Sequence, residues 1–288
     1  MRDDRRPAAF RKRELEEIEA HATVRPPVIF ETIRREGLEE MSRPATALAL
    51  SGIAAGIAMG FSVLAQATLL VRLPDSAWTP VLADLGYTLG FLIVILGQMQ
   101  LFTENTITPV CELLERPTRA TGACLARIWG VVLAANLIGT ALFAAAVLSM
   151  RLVDAATLEA MLGLGRAALE KDFWETLARG IPAGWLIAAL VWLAPTAGGA
   201  RALTIIAITY VIALADFTHV VAGSAKAALL VFTGAAGFED AYLGYVAPAV
   251  VGNIVGGSAF FTLLVWGQIR SELPREDSLA SSAAERAS

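Results

Sequence analysis

The chain is poor in charge and in the side chains that most enzymes use. Of its 288 residues only 17% are charged, and it contains only two histidines and two cysteines. A soluble domain of this length needs a more polar surface, so the composition excludes an ordinary soluble enzyme. The net charge is −4, and no basic stripe with interleaved aromatic residues is present, which argues against a nucleic-acid partner.

The few cysteines and histidines also limit the possible chemistry. Cys111 and Cys124 flank a charged loop without the spacing of metal ligands, so we expect free thiols, no bound metal and no cofactor. His219 is followed five residues later by Ser224, but residues five apart on a helix do not face one another. No Gly-x-Ser-Gly motif accompanies them. An intramembrane hydrolase is therefore disfavoured, and we predict that the chain is not an enzyme.

What the chain does contain is long apolar segments, consistent with its 56% hydrophobic residues. A membrane-spanning helix needs about twenty residues. The second and fifth segments are longer than this and carry polar or glycine interruptions, which predict broken helices around a cavity. The segments cover residues 46–71, 82–110, 126–149, 175–195, 202–232 and 244–268.

These segments predict an all-α integral membrane protein with three regions. Residues 1–45 form a charged N-terminal tail with amphipathic helices around residues 10–21 and 28–41. Residues 46–268 form a transmembrane domain of six helices, of which the second and fifth are broken, and residues 269–288 form a polar C-terminal tail. The tail that precedes the first span is rich in arginine, so we place both termini in the cytoplasm.

The two halves of the transmembrane domain resemble one another. The motif around Asn136 in the third segment is similar to the motif around Asn253 in the sixth. Aligning the halves places Leu101-Phe102-Thr103 opposite Phe217-Thr218-His219, so that Thr103 and His219 become equivalent. Because each half has three spans, an odd number, the sequence predicts two inverted three-helix repeats.

His219 is the first candidate for a functional centre. It lies inside the fifth apolar segment, whereas the other histidine, His21, lies in the charged tail. An ionisable side chain at membrane depth is costly and usually faces a partner or a water-filled path.

Three motifs together resemble the formate/nitrite transporter family, in particular its divergent members with long N-terminal tails. They are Leu101-Phe102-Thr103, Phe217-Thr218-His219 and the stretch from Pro248 to Gly257. The resemblance implies an aquaporin-like six-helix fold and a homopentamer in a bacterial-type inner (plasma) membrane. It also implies one pore per protomer for a small weak-acid anion such as formate or nitrite.

The resemblance also assigns residue roles. His219 matches the family's central pore histidine, Thr103 its hydrogen-bonding threonine, and Leu101 and Phe102 its apolar constriction. An apolar slit penalises an anion far more than its neutral acid. An imidazole, which titrates near neutral pH, is suited to exchange or share the proton, so passive passage as the neutral acid or proton-coupled passage is expected.

Three charged residues near the breaks complete the predicted pore. Glu104 and Asp216 would repel an anion if they faced the pore without being protonated or paired. Lys226 is predicted to extend to the membrane interface or to pair with Asp216. Structural helix contacts are expected at three further positions, Asn136, Asn253 and Gly256.

Two other functions stay open at this point. The family usually has a glutamate where this chain has Thr218 and an asparagine where it has Gly223. A channel for small neutral solutes is one alternative. A membrane docking protein that does not transport, and that uses its N-terminal helices to bind a cytoplasmic complex, is the other.

Overall fold

The computed structural model describes residues 24–272, and within this range the chain forms helices and no strand. The helix predicted around residues 10–21 and most of the C-terminal tail lie outside the described residues. The helices are α1 Pro26–Ser42, α2 Ala45–Arg72, α3 Thr79–Leu96, α4 Thr108–Glu115, α5 Arg119–Ser149, α6 Ala155–Leu169, α7 Phe173–Leu193, α8 Arg201–Leu214, α9 Val220–Phe232 and α10 Glu239–Ile269.

Five of these helices are long and apolar enough to cross a membrane: α2, α3, α5, α7 and α10. Helices α8 and α9 are apolar but shorter, and they follow one another across residues 215–219. Helix α3 ends at Leu96 and is followed across residues 97–107 by the short helix α4. The interruptions predicted in the second and fifth segments are thus present. Helix α1, predicted over residues 28–41, spans Pro26–Ser42.

The first break is held by the side chain of Asn136 on α5. Its Oδ1 accepts a hydrogen bond from the amide of Phe102 at 2.9 Å. Its Nδ2 donates to the carbonyl of Gln100 at 2.9 Å and to the carbonyl of Gly52 on α2 at 2.8 Å. One buried side chain therefore satisfies three backbone groups, two of them in the break.

Asn253 on α10 makes the same three contacts at the second break. Its Oδ1 accepts from the amide of Val220 at 2.9 Å. Its Nδ2 donates to the carbonyl of Thr218 at 2.8 Å and to the carbonyl of Gly180 on α7 at 2.9 Å. Both asparagines thus join helix backbones to a break.

These matched bonds correct the alignment of the two halves. They pair Gln100 with Thr218 and Phe102 with Val220, so Leu101 corresponds to His219. The sequence alignment that made Thr103 the equivalent of His219 is wrong by two residues. It followed the similarity of short motifs, whereas the register is set by which amide and carbonyl reach the asparagine.

Glycine allows close helix contacts beside these asparagines. A Cβ on Gly56 of α2 would collide with the carbonyl of Asn136, and a Cβ on Gly256 of α10 would collide with the carbonyl of Ile181 on α7. Small residues at such contacts let helix backbones approach closely. The helices that bracket each break are therefore packed backbone to backbone.

Replacing either asparagine by leucine is expected to destabilise the fold. Asn136→Leu or Asn253→Leu would leave one amide and one carbonyl of the break without partners in an apolar interior, whereas the helix carbonyl of Gly52 or Gly180 keeps its intrahelical bond. At about 1 kcal/mol or more per group, we expect the melting midpoint in detergent to fall by about 5 °C or more. Val251→Leu, at an exposed position of α10, is the matched control and should melt like the parent. Equal midpoints for all variants would contradict this role.

Candidate functional site

The second break places His219 at the start of α9. His219 has an extended backbone, and its Nδ1 accepts a hydrogen bond from the amide of Ala222 at 3.3 Å, so the imidazole caps the helix. Only 2% of the residue is exposed.

The first break brings Thr103 to the same imidazole. Thr103 Oγ1 lies 2.8 Å from Nε2 of His219. Since Nδ1 accepts from Ala222, a neutral imidazole must carry its hydrogen on Nε2 and donate it to Thr103. The hydroxyl hydrogen of Thr103 is then available for another acceptor. The two breaks thus meet at a pair of side chains that can offer a hydrogen without carrying a charge.

Apolar groups surround this pair. The ring of Phe91 on α3 contacts the imidazole edge to face, with 4.9 Å between ring centroids. Leu101 and Phe102 are fully buried beside Thr103, and the ring of Phe102 packs towards Trp129 on α5. The sequence did not single out Phe91, because it lies in an apolar stretch of α3 with no local mark of function.

A cavity of about 280 Å³ reaches His219 from one side. We call it the His219 vestibule. Phe217 and Thr218 of the break also line it. The other lining residues lie on α2, α3, α6, α8, α9 and α10, between α6 and α7, and in the break, and include Gln66, Asp84, Tyr87, Lys171, Asp216, Lys226 and Tyr245.

A second cavity, of about 380 Å³, lies towards the other end of α3, and we call it the Glu40 vestibule. Ile95 lines this cavity, whereas Asp84 lines the His219 vestibule. At 1.5 Å per helical residue, these two positions on α3 are separated by about 16 Å. The Glu40 vestibule also includes Glu36, Glu39, Gln100, Glu104 and Arg201. The Thr103–His219 pair therefore lies between two vestibules.

The charged residues near the breaks are divided between these vestibules. Glu104 faces the Glu40 vestibule. Asp216 lies at the rim of the His219 vestibule, where it pairs with Lys171 at 2.7 Å and approaches Arg179 at 3.8 Å. The predicted pairing of Asp216 with Lys226 is wrong. Lys171, between α6 and α7, and Arg179, on α7, approach Asp216 at the rim instead, while Lys226 is on the vestibule wall.

Helix α1 closes one side of the Glu40 vestibule. Glu40 accepts hydrogen bonds from Thr108 Oγ1 at 2.6 Å and from Gln100 Nε2 at 3.2 Å. Arg34 forms an ion pair with Glu112 on α4. These contacts attach α1 to the first break and to the helix that follows it.

Cys111 is buried, Cys124 is half-buried, and both are free thiols. Within residues 24–272 no group of three or more histidine, cysteine or acidic side chains is placed to hold a metal ion.

Several apolar helices long enough to cross a membrane, with buried polar groups where two breaks meet between vestibules, define a multi-pass membrane protein of the channel or transporter class. A sequence model of the formate/nitrite transporter family matches residues 27–267. The chain belongs to this family and is a transport protein rather than an enzyme.

Two curated relatives and two solved structures are similar to the chain. Inner membrane protein YfdC of Escherichia coli (strain K12) is 41% identical over 90% of this chain and 84% of its own length. The uncharacterized transporter YrhG of Bacillus subtilis (strain 168) is 27% identical over 83% of this chain and 91% of its own length.

A pentameric formate channel with formate bound superposes with a TM-score of 0.63 and 20% identity, covering 77% of this chain and 96% of that chain. An FNT family ion channel superposes with a TM-score of 0.75 and 18% identity, covering 83% of this chain and 98% of that chain. At these identities the two structures show a shared fold.

The hydrogen-bond network predicts a single imidazole tautomer for His219. Since the chain has only two histidines, a His21→Gln background leaves one imidazole to observe by 15N NMR of histidine-labelled protein. We expect a neutral ring protonated at Nε2. Thr103→Val removes the acceptor and should shift the Nε2 resonance, whereas Thr103→Ser should preserve it. A ring protonated at Nδ1 would contradict the assignment.

The buried carboxyl of Glu40 makes the docking of α1 depend on pH. Burial raises the pKa of this carboxyl above its ordinary value of 4.5, although the hydrogen bonds from Thr108 and Gln100 oppose the shift. The docked state therefore holds this proton more tightly than the unfolded state, so stability is greatest at low pH and falls as pH rises through the raised pKa.

Hydrogen exchange can measure this effect at the buried positions Ile33 and Gly37 of α1. Protection factors, corrected for intrinsic exchange, should be higher at about pH 5 than at about pH 8. Glu40→Gln should reduce the difference, while Glu39→Gln, at an exposed position of the same helix, should retain it. An unchanged pH dependence in Glu40→Gln would contradict the assignment to Glu40.

Proposed function

We propose that the chain conducts small monovalent weak-acid anions of the formate or nitrite type across a bacterial inner membrane, with a proton supplied or shared at His219. The observation that carries this proposal is the contact between Thr103 and His219 at 2.8 Å, buried between two vestibules. Membership of the formate/nitrite transporter family and the bound formate named for a channel of similar fold support the substrate class.

The order of events follows from the charge of the site. The anion would enter a vestibule and meet Thr103, whose hydroxyl hydrogen is not used by His219 and can bond a carboxylate or nitrite oxygen. Entering the apolar surroundings of Phe91, Leu101 and Phe102 costs an anion its hydration. Taking up a proton removes this cost, so the substrate would pass the Thr103–His219 pair as the neutral acid.

His219 is suited to assist that proton transfer. Its Nε2–H already donates to Thr103, so imidazole, hydroxyl and a bound oxygen form one hydrogen-bonded chain. The proton that neutralises the anion enters from the water of the acidified vestibule, and the imidazole ends the step as the same neutral ring, because net loss of its Nε2 hydrogen would leave an imidazolate. Leu101, Phe102, Phe217 and Thr218 would act as the walls and backbone supports of this passage. Glu104 would influence the electrostatic potential of the Glu40 vestibule rather than contact the substrate at His219.

The proposal includes the architecture implied by the family. The matching contacts of Asn136 and Asn253 support two inverted repeats of three spans, with α3 and α4 forming one broken span and α8 and α9 the other. With six spans both termini lie on one side, which we assign to the cytoplasm. A homopentamer with one pore per protomer is supported by the similar fold of a pentameric formate channel.

The test is uptake of [14C]formate into proteoliposomes across an imposed pH gradient, with empty liposomes to subtract passive diffusion of formic acid. The parent should show saturable uptake that increases as the outside is acidified. His219→Asn is the informative variant, since asparagine keeps a helix cap but does not titrate. We expect it to lose acid stimulation and to reduce uptake at least about tenfold.

His21→Gln is the matched control, since it removes the histidine that lies outside the apolar segments, and it should transport like the parent. Nitrite, acetate and lactate are run in parallel. If folded parent protein moves none of these acids, the proposal fails. Acid-stimulated uptake that persists in His219→Asn would retain the transport function but exclude the histidine mechanism.

A further inference from the structure

The wall of the His219 vestibule carries two tyrosine hydroxyls that have no protein partner. Tyr87 on α3 and Tyr245 on α10 both line the cavity, and each residue is only 5% exposed. Within residues 24–272 neither hydroxyl takes part in a hydrogen bond with another protein group. Buried tyrosine hydroxyls normally find a partner, so two free ones in the same cavity point to a ligand.

Both hydroxyl oxygens are open to the cavity. A few other buried side-chain atoms in the described part of the chain lack a partner but have almost no accessible surface. They are Gln66 Oε1, Asn105 Oδ1, Thr176 Oγ1 and Arg201 Nε. The oxygens of Tyr87 and Tyr245 are not among these atoms, so they can be reached from the vestibule that the two residues line.

Tyr245 places its hydroxyl one helical turn from His219. A Cβ on Gly223 would lie 2.6 Å from Oη and 2.7 Å from Cε1 of Tyr245, so the phenol occupies the space that a side chain at residue 223 would fill. The amide of Gly223 donates to the carbonyl of His219 at 2.8 Å. Tyr245 lies in a π-helical stretch, Glu239–Val246, a rare geometry that often occurs at functional sites. The glycine thus admits a donor from α10 beside the turn that begins at His219.

Tyr87 reaches the same cavity from α3, next to a row of rings. Its ring centroid lies 5.2 Å from that of Phe91, one turn further along α3, and the ring of Phe91 lies 4.9 Å from the imidazole of His219. The two phenols therefore approach the vestibule from two different helices. Because the cavity holds only about 280 Å³, one small ion can meet both hydroxyls.

Two neutral donors suit an ion that must leave again. A hydrogen bond from a hydroxyl to an oxyanion is strengthened by the charge of the acceptor. Formate and nitrite each carry two oxygens on one atom, so each oxygen can accept from one hydroxyl. Conduction requires binding that is favourable enough for entry and weak enough for release, which two hydroxyls can provide.

We propose that the hydroxyls of Tyr87 and Tyr245 form a subsite that binds the two oxygens of a small oxyanion before it reaches the Thr103–His219 pair. The subsite rests on the proposed transport of weak-acid anions and adds two substrate-binding residues to it. It uses hydrogen bonds alone, and the ion leaves it still as the anion.

Tyrosine labelled with 13C at Cζ reports directly on hydrogen bonds of the phenol. The chain has four tyrosines, so single Tyr→Phe variants assign every signal. Formate is titrated into the full chain in detergent at constant ionic strength. We expect saturable shifts of the Tyr87 and Tyr245 signals. The signal of Tyr210, which donates to the carbonyl of Val81 at 2.9 Å, and that of Tyr242, outside the vestibule wall, should not move.

Tyr245→Phe removes one donor and keeps the ring. It should weaken formate binding about tenfold, and Tyr87→Phe should do the same. In proteoliposomes the KM for formate should rise to a similar extent while stimulation by acid remains, because Thr103 and His219 are still in place. Tyr242→Phe, in the same π-helical stretch as Tyr245, is the matched control and should bind and transport formate like the parent.

Failure of the subsite and failure of transport give different results. Tyr87 and Tyr245 signals that do not respond to formate, or an unchanged dissociation constant in either Phe variant, would overturn the subsite even if the parent transports formate. Saturable shifts, and binding that depends on both hydroxyls, in a parent that transports no weak acid would support the subsite and reject the proposed transport function.

Discussion

The structure depends on satisfying backbone groups where two membrane helices are interrupted. In an apolar interior an unpaired amide or carbonyl is costly, and non-helical backbone is stable there only when protein groups or water pair with it. Asn136 and Asn253 meet this requirement with one side chain each, because a carboxamide both accepts and donates. The two breaks are therefore fixed in position, and with them every group that the breaks carry.

Fixing the breaks determines the chemistry at their meeting point. Thr103 lies in the first break, and His219 caps the helix that follows the second break. Their contact therefore depends on the hydrogen bonds of both Asn136 and Asn253. The bond from Ala222 to Nδ1 then orients the imidazole hydrogen towards Thr103. A charged centre would bind an anion tightly and hinder its release, whereas this neutral pair can hold an oxygen weakly and let it leave.

Much of this arrangement was predictable from the sequence, and the rest depends on contacts between distant residues. His219 is the histidine inside an apolar segment, and glycine and polar residues mark both breaks, so the position of the site is encoded locally. The register of the repeat was missed by two residues, because it depends on which backbone groups reach Asn136 and Asn253. The pairing of Asp216 with Lys171 was missed since it joins residues from separate helices, and Phe91 carries no local signal.

The two vestibules differ in the charges that line them, and this difference decides on which side a weak-acid anion is held more readily. The Glu40 vestibule contains Glu36, Glu39, Glu40 and Glu104 against the cations Arg43 and Arg201, so once these carboxyls are ionised its charge disfavours an accumulating anion. In the His219 vestibule Asp84 and Asp216 balance Lys171 and Lys226, and the ammonium of Lys226 lacks a carboxylate within ion-pair distance among the described residues. A weak-acid anion is therefore held more readily on the His219 side. Because an asymmetry in binding cannot change the equilibrium that the anion and proton gradients set, it affects the rates of entry and release and not the final distribution of substrate.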